Sequence, residues 1–413
     1  MSNTTPWFGT AFHRNTPWFN QSRDWVKYLQ RCHYMLQQGE PSSDVAVYVG
    51  DFAPQMTGPA NPVPDGYDYD YMGSDAILTS LNVVDGEWVV YDENDPTRIS
   101  ARWKVLAMPR GLKYIRPQVR QRLDQLKQAD GRVVDGVPVS ADTLSAARIT
   151  PAVSATSLNL RWKERRLPDG RLFFLSNFSG TGTFTGTFRV TGKAPELFNP
   201  VSGEITRLAR FESVAGGTRV SFDVKDRSDA FFLIFRDAPS APSVTASSLP
   251  PSVLGLSFDE KDQLVAECAR AGTYELTMSD GSSREVIIGE NSREFVIAGP
   301  WQSTRQDKAG KSVLQATRFD LPAGFADGRQ VTLDLGPVSV MAKVTLNGKT
   351  FDTLWMPPFR LDVTDALIAG TNQLQVLVTS TSSGTPAMGP EVKLTTRMQV
   401  PVSEEISRGH PVK

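Results

Sequence analysis

The stretch LDLGPVSVMAKVTLNGKTFDTLWMPPFRLDVTDALIAGTNQLQVLV, residues 333–378, decides how the C-terminal part of this chain folds. Its apolar residues alternate with polar ones, as a strand with one buried face requires. Asn347-Gly348 between two such runs predicts a two-residue type I′ hairpin, because both central residues of that turn need positive φ. A Pro357-Pro358-Phe359 step, a Thr364-Asp365 cap and a Gly370-Thr371-Asn372 turn separate the remaining segments. The expected arrangement is two sheets packed face to face. Val331, Leu333, Leu335, Val344, Leu346, Leu374, Val376 and Val378 then point inward.

Upstream, the same period of two runs from about residue 155. Leu158–Lys163, Leu172–Asn177, Gly182–Val190, Glu196–Asn199, Arg219–Val224 and Ala230–Phe235 read as strands between Asp-Gly, Ser-Gly and Gly-Gly turns, predicting a β-sandwich. The Pro-, Ser- and Ala-rich stretch 237–251 reads as a linker. Residues 252–299 read as a small β unit with a hairpin at Asp280-Gly281. The tail SRGHPVK is expected to be disordered.

The N-terminal third has a different rhythm. Trp25, Tyr28, Leu29, Cys32 and Leu36 share one helical stripe, with Ser22 as the expected N-cap and Gly39 as the stop. Buried strands are predicted at 44–49 and 103–108, a short helix at 74–81, an amphipathic helix at 116–127 with Pro117 in its first turn, and a third strand after Gly131. Strand–helix alternation of this kind predicts a three-layer α/β domain around a parallel sheet.

Forty-four basic and 45 acidic residues nearly cancel, so no global field favours nucleic acid or an anionic membrane. No apolar run is long enough for a membrane span, and the N-terminus lacks the pattern of a signal peptide. Cys32 and Cys268 are expected to be buried free thiols. Neither has the setting of a catalytic cysteine, and no G-x-S-x-G occurs. Asp65, Asp68 and Asp70 in DGYDYDY have calcium-type oxygens, but no EF-hand-like loop; a structural role is the reading preferred here.

Eight segments in order carry a resemblance. They are GTAFHRNTPWF (9–19), WVKYLQRCHYMLQQG (25–39), DVAVYVGD (44–51), GYDYDYM (66–72), WKVLAMP (103–109), ELFNPVSGEI (196–205), GPW (299–301), and VTLNGK with PPFRLDVTDAL (344–367). Together they resemble the C-terminal half of glycoside hydrolase family 106, the α-L-rhamnosidases. The last run also resembles the galactose-binding-like module of family 2 glycosidases. The resemblance implies a multi-domain α/β plus all-β chain. Its expected parts are the end of a (β/α) barrel (1–40), an amidotransferase-like, flavodoxin-like domain (41–150), a β-sandwich (151–240), the small β unit (252–299) and a jelly roll (300–400).

In that family two carboxylic acids on the preceding barrel invert the anomeric carbon, with calcium bound. The resemblance therefore implies that this chain lacks the catalytic pair, holds no cofactor itself and leaves calcium to the parent enzyme, which is expected to be periplasmic or secreted. Implied partners are a rhamnose-containing glycan and the missing barrel. For sugar contact the candidates are Arg14 and Asn15 as hydrogen-bond donors, and Trp18 and Trp355 as stacking faces. The alternative is a stand-alone, non-catalytic carbohydrate-binding or structural module.

Overall fold

The computed structural model describes residues 4–5, 9–10, 12, 14, 16–51, 62–108, 112, 114–268, 270–289, 292–381 and 384–402. Among these residues it is mostly β, with several sheets and four α-helices: α1 (Arg23–Leu36), α2 (Ser74–Thr79), α3 (Pro117–Gln128) and α4 (Ala141–Ala146). Among the described residues no helix is long and apolar enough to cross a membrane.

The expected parallel sheet is present, with strands Val133–Asp135, Val105–Met108, Val45–Tyr48 and Tyr69–Met72 in that spatial order. Val45 to Tyr48 are all fully buried, since both faces are covered. Ile77 of α2 and Val119, Leu123 and Leu126 of α3 pack with one face, while Leu144 of α4 packs with the other. Two details differ from the sequence reading. The helix at 74–81 ends at Thr79, because Leu81–Val84 opens a three-stranded antiparallel sheet with Glu87–Tyr91 and Ile99–Trp103. Trp103 belongs to that sheet, so the strand expected at 103–108 breaks at Lys104. Gly131 is required here by contact: a Cβ would sit 2.7 Å from the Trp88 indole, which donates to the Arg132 carbonyl at 2.8 Å.

Next come two facing sheets. One contains Val153–Ala155, Gly182–Phe188, Gly217–Val224 and Phe211–Val214. The other includes Arg161–Arg166, Arg171–Ser176, Ala230–Phe235, Pro195–Phe198 and Ile205–Leu208. Phe173, Phe184, Phe188, Phe222, Leu233 and Phe235 fill the space between them. Phe232 and Ile234 point the other way, under α1, which is why AFFLIF is apolar on both sides.

The 237–251 stretch is not the linker its composition suggested. Val244–Ser247 pairs with Gly272–Met278, and Val244 is buried in a core with Leu276 and Met278. One apolar residue with a partner strand outweighs the surrounding Pro and Ser. The Asp280-Gly281 hairpin forms as expected, between Gly272–Met278 and Ser283–Ile288.

In the C-terminal part all eight expected core residues are at most 1% exposed and belong to one cluster. They lie between a sheet containing Ser312–Leu321, Gly370–Thr379 and Met341–Leu346, and one containing Gln330–Asp334, Arg360–Asp362 and Lys393–Pro401. Asn347 and Gly348 have φ of 50° and 85°, as the predicted turn requires. The last strand, Lys393–Pro401, also pairs with Leu264–Cys268 and so joins this sandwich to the preceding β unit. The tail SRGHPVK lies outside the described residues.

Candidate functional site

The candidate site is built around the approach to α1. Thr16-Pro17-Trp18 leads into a 3-10 turn, Phe19–Gln21, which runs directly into the helix. Ser22 is therefore already helical, and its hydroxyl donates back to the Phe19 carbonyl at 2.6 Å instead of capping the helix. At the far end Gly39 has φ +59°, and an added Cβ would lie 2.1 Å from the Arg166 carbonyl oxygen. No other residue fits that stop.

This turn gathers four aromatic rings. Phe12 stacks on Trp18 at 5.7 Å and touches Phe19 at 5.2 Å and Trp25 at 5.3 Å; Trp18 meets Trp25 edge-on at 6.3 Å. Phe12 is 49% exposed and Arg14 is also exposed, while Trp18, Phe19 and Trp25 are half-buried. Asn15 lies outside the described residues. Phe12 was missed in the sequence reading, although it sits in the same GTAFHRNTPWF segment as Arg14, Asn15 and Trp18.

Trp355 reaches the same helix from the C-terminal sandwich. It is half-buried, with its ring 5.1 Å from Tyr28, so part of its surface is taken by packing. Around it Asp24 accepts from the Thr353 amide at 2.7 Å, and Lys27 lies 2.8 Å from Asp24 and 3.2 Å from Asp352. Gln21 donates to the Thr379 hydroxyl. Burial works against the Asp24 carboxylate, but the bonds from Lys27 and Thr353 outweigh it and hold its pKa below the usual value. The Tyr28 phenol is pushed up to about 12 by burial and by Cys32. Arg31 donates to the Pro200 and Val201 carbonyls at 3.0 and 2.7 Å, and Cys32 packs with Leu172, Phe232 and Ile234. α1 thus binds the two β regions together while carrying the aromatic turn at its N-terminus. Cys32 and Cys268 are buried free thiols.

Asp68 and Asp70 of the acidic run take structural partners. Asp68 is buried and pairs with Lys163 at 2.6 Å across to the neighbouring sheet; Asp70 accepts from the Trp103 indole at 2.9 Å. Among the described residues no three His, Cys, Asp or Glu side chains are gathered as a metal site. Burial first, then Asp70, raises the Asp68 pKa to about 6 despite Lys163. An unfolded Asp titrates near 3.9, so folding takes up a proton between those values and the contribution of Asp68 to stability grows as pH falls. From pH 7 to 5 wild type should gain about 1 kcal/mol relative to Asp68→Asn. Urea unfolding of both proteins at the two pH values measures the difference; parallel curves would refute it.

The polar knot between Asn347 and Asn372 gives the LNGK and GTN motifs a folding role. Asn347 donates to the Asn372 side-chain oxygen at 2.7 Å and to the Ala366 carbonyl at 2.8 Å, while Asn372 donates to the Ile368 carbonyl at 2.8 Å.

With this geometry in place, comparison with known proteins defines the class. The α-L-rhamnosidase family model, glycoside hydrolase family 106, matches residues 2–155 and 127–213, just over half of the chain. The chain belongs to that family. Its fold is similar to a rhamnosidase structure from Novosphingobium sp. PP1Y, with a TM-score of 0.69 at 21% identity over 96% of this chain and 43% of that one. A protein of Formosa agariphila provisionally named a beta-glucuronidase is 24% identical over 280 residues, 58% of this chain and 23% of the relative. The chain spans less than half the length of either relative.

Proposed function

We propose that this chain is the C-terminal portion of an α-L-rhamnosidase-like glycoside hydrolase that acts on rhamnose-containing glycans. It supplies scaffold and sugar-contacting surface. Residues 1–40 are read as the end of the catalytic barrel, followed by an amidotransferase-like α/β domain, a β-sandwich, a small β unit and a galactose-binding-like jelly roll. The two carboxylates of an inverting mechanism, which must face each other across a sugar-sized gap, belong to the remainder of the barrel. Family membership and the 43% coverage of the rhamnosidase support this reading.

The observation that carries it is the aromatic turn. Phe12 offers an exposed ring backed by Trp18, Phe19 and Trp25, beside the exposed Arg14. Aromatic faces stack on the C–H surfaces of sugars, and guanidinium N–H groups bond their hydroxyls. Trp355 is reassigned from stacking platform to helix anchor, because it packs on Tyr28. The chain alone should release no product from a chromogenic α-L-rhamnoside. Titration with a rhamnose-containing oligosaccharide should quench Trp fluorescence, with the response lost in Trp18→Ala and kept in Trp355→Ala. Turnover that co-purifies with the chain would overturn the division of labour. Quenching that survives Trp18→Ala would overturn the site. Quenching by a chain whose upstream DNA encodes no barrel would favour the stand-alone binding module.

A further inference from the structure

Away from the aromatic turn, a solvent-open cleft of about 330 Å³ lies between the Leu167–Arg171 hairpin turn and the segment from Arg189 to Lys193. Arg171, Arg189 and Lys193 line it, and Asp169 is the one carboxylate among its described lining residues. The cations are held from behind. Arg189 donates to Asp44 at 2.7 Å and to the Thr150 carbonyl. Arg171 pairs with Glu164 at 3.1 Å and donates to the Gly170 carbonyl at 2.9 Å. Lys193 donates to the Arg236 carbonyl.

These contacts use a minority of the N–H groups that two guanidiniums and an ammonium carry. They also leave charge in excess. Asp44 is shared with Lys104 at 2.8 Å, so the buried pair Asp44 and Glu164 faces Lys104, Arg189 and Arg171 before Lys193 is counted. Burial pulls Arg171 below its ordinary value, and Arg166 and Arg189 beside it add to this despite Glu164. The cleft is rich in donors, poor in acceptors and of a size that takes a small molecule.

We propose that this cleft binds a small carboxylate-bearing ligand, with Arg171, Arg189 and Lys193 as its donors. That the ligand is an acidic sugar unit rests on the glycan reading above. Planar guanidiniums match a carboxylate through paired N–H bonds, and Lys193 adds a mobile point charge.

Calorimetric titration of the full chain with glucuronate, glucose, acetate and inorganic phosphate tests it. Glucuronate should bind at least tenfold more tightly than acetate or phosphate, and glucose should give no heat. Added salt should weaken the binding, because it screens charges at an open cleft. Lys193→Gln should weaken glucuronate at least tenfold without lowering the thermal midpoint, since its described protein contact is a single carbonyl; Lys193→Arg should retain binding. No heat with glucuronate, equal affinity for phosphate, or unchanged binding in Lys193→Gln would each overturn the proposal, and equal affinity for acetate would overturn its assignment to an acidic sugar. Rhamnoside quenching through Trp18 reads the other site. Quenching without glucuronate binding sinks this inference alone, and glucuronate binding without quenching sinks only the aromatic site.

Discussion

Val344→Asp is expected to abolish the folded C-terminal sandwich. Val344 is fully buried between Val376 of the neighbouring strand and the core of the facing sheet. Losing its burial forfeits roughly 1.5–3 kcal/mol. The larger loss comes from placing a carboxylate in an apolar core, which costs several kcal/mol even when the group takes up a proton to escape ionisation. The total approaches the whole stability of a typical domain, about 5–15 kcal/mol. Expression should shift to the insoluble fraction, or the soluble protein should lose near-UV circular dichroism. A soluble variant with an unchanged thermal midpoint would refute the inward assignment. Because Lys393–Pro401 pairs with both this sandwich and Leu264–Cys268, the β unit upstream should lose stability as well.

Asp44→Ala should cost about 3–5 kcal/mol, the range for breaking a buried pair from one side. Asp44 is 2% exposed, and its Oδ1 receives both Lys104 at 2.8 Å and Arg189 at 2.7 Å. Removal strands two cations at the seam between the parallel sheet and the β-sandwich. Burial already holds the Lys104 pKa below its usual value despite Asp44, so loss of that carboxylate should lower it further. Denaturant unfolding gives the size of the loss. Asp44→Ala/Lys104→Met should recover part of it, because the second change removes one of the stranded charges. Equal stability of wild type and Asp44→Ala would show that the seam is held by packing alone.

Local pattern determined much of this protein on its own. Alternation placed the eight core residues of the last sandwich, and Asn347-Gly348 placed its hairpin, because strand period and turn conformation follow from near neighbours. The buried strand at Val45–Tyr48 and the helices α1 and α3 were legible for the same reason. The Asp85-Gly86 hairpin was equally legible from VVDGEWVV, but the sequence reading passed over it; both turn residues have positive φ, 52° and 74°. Tertiary structure alone decided the rest. Val244–Ser247 is a strand because Gly272–Met278 comes to lie beside it. Trp355 meets Tyr28, far away in the chain, because the C-terminal sandwich packs against α1. The pairs Asp44–Arg189 and Asp68–Lys163 join residues about a hundred or more positions apart. Sequence periodicity reports which face of an element is apolar, whereas which distant group meets that face, or which charge neutralises a buried carboxylate, is set only when the sheets pack.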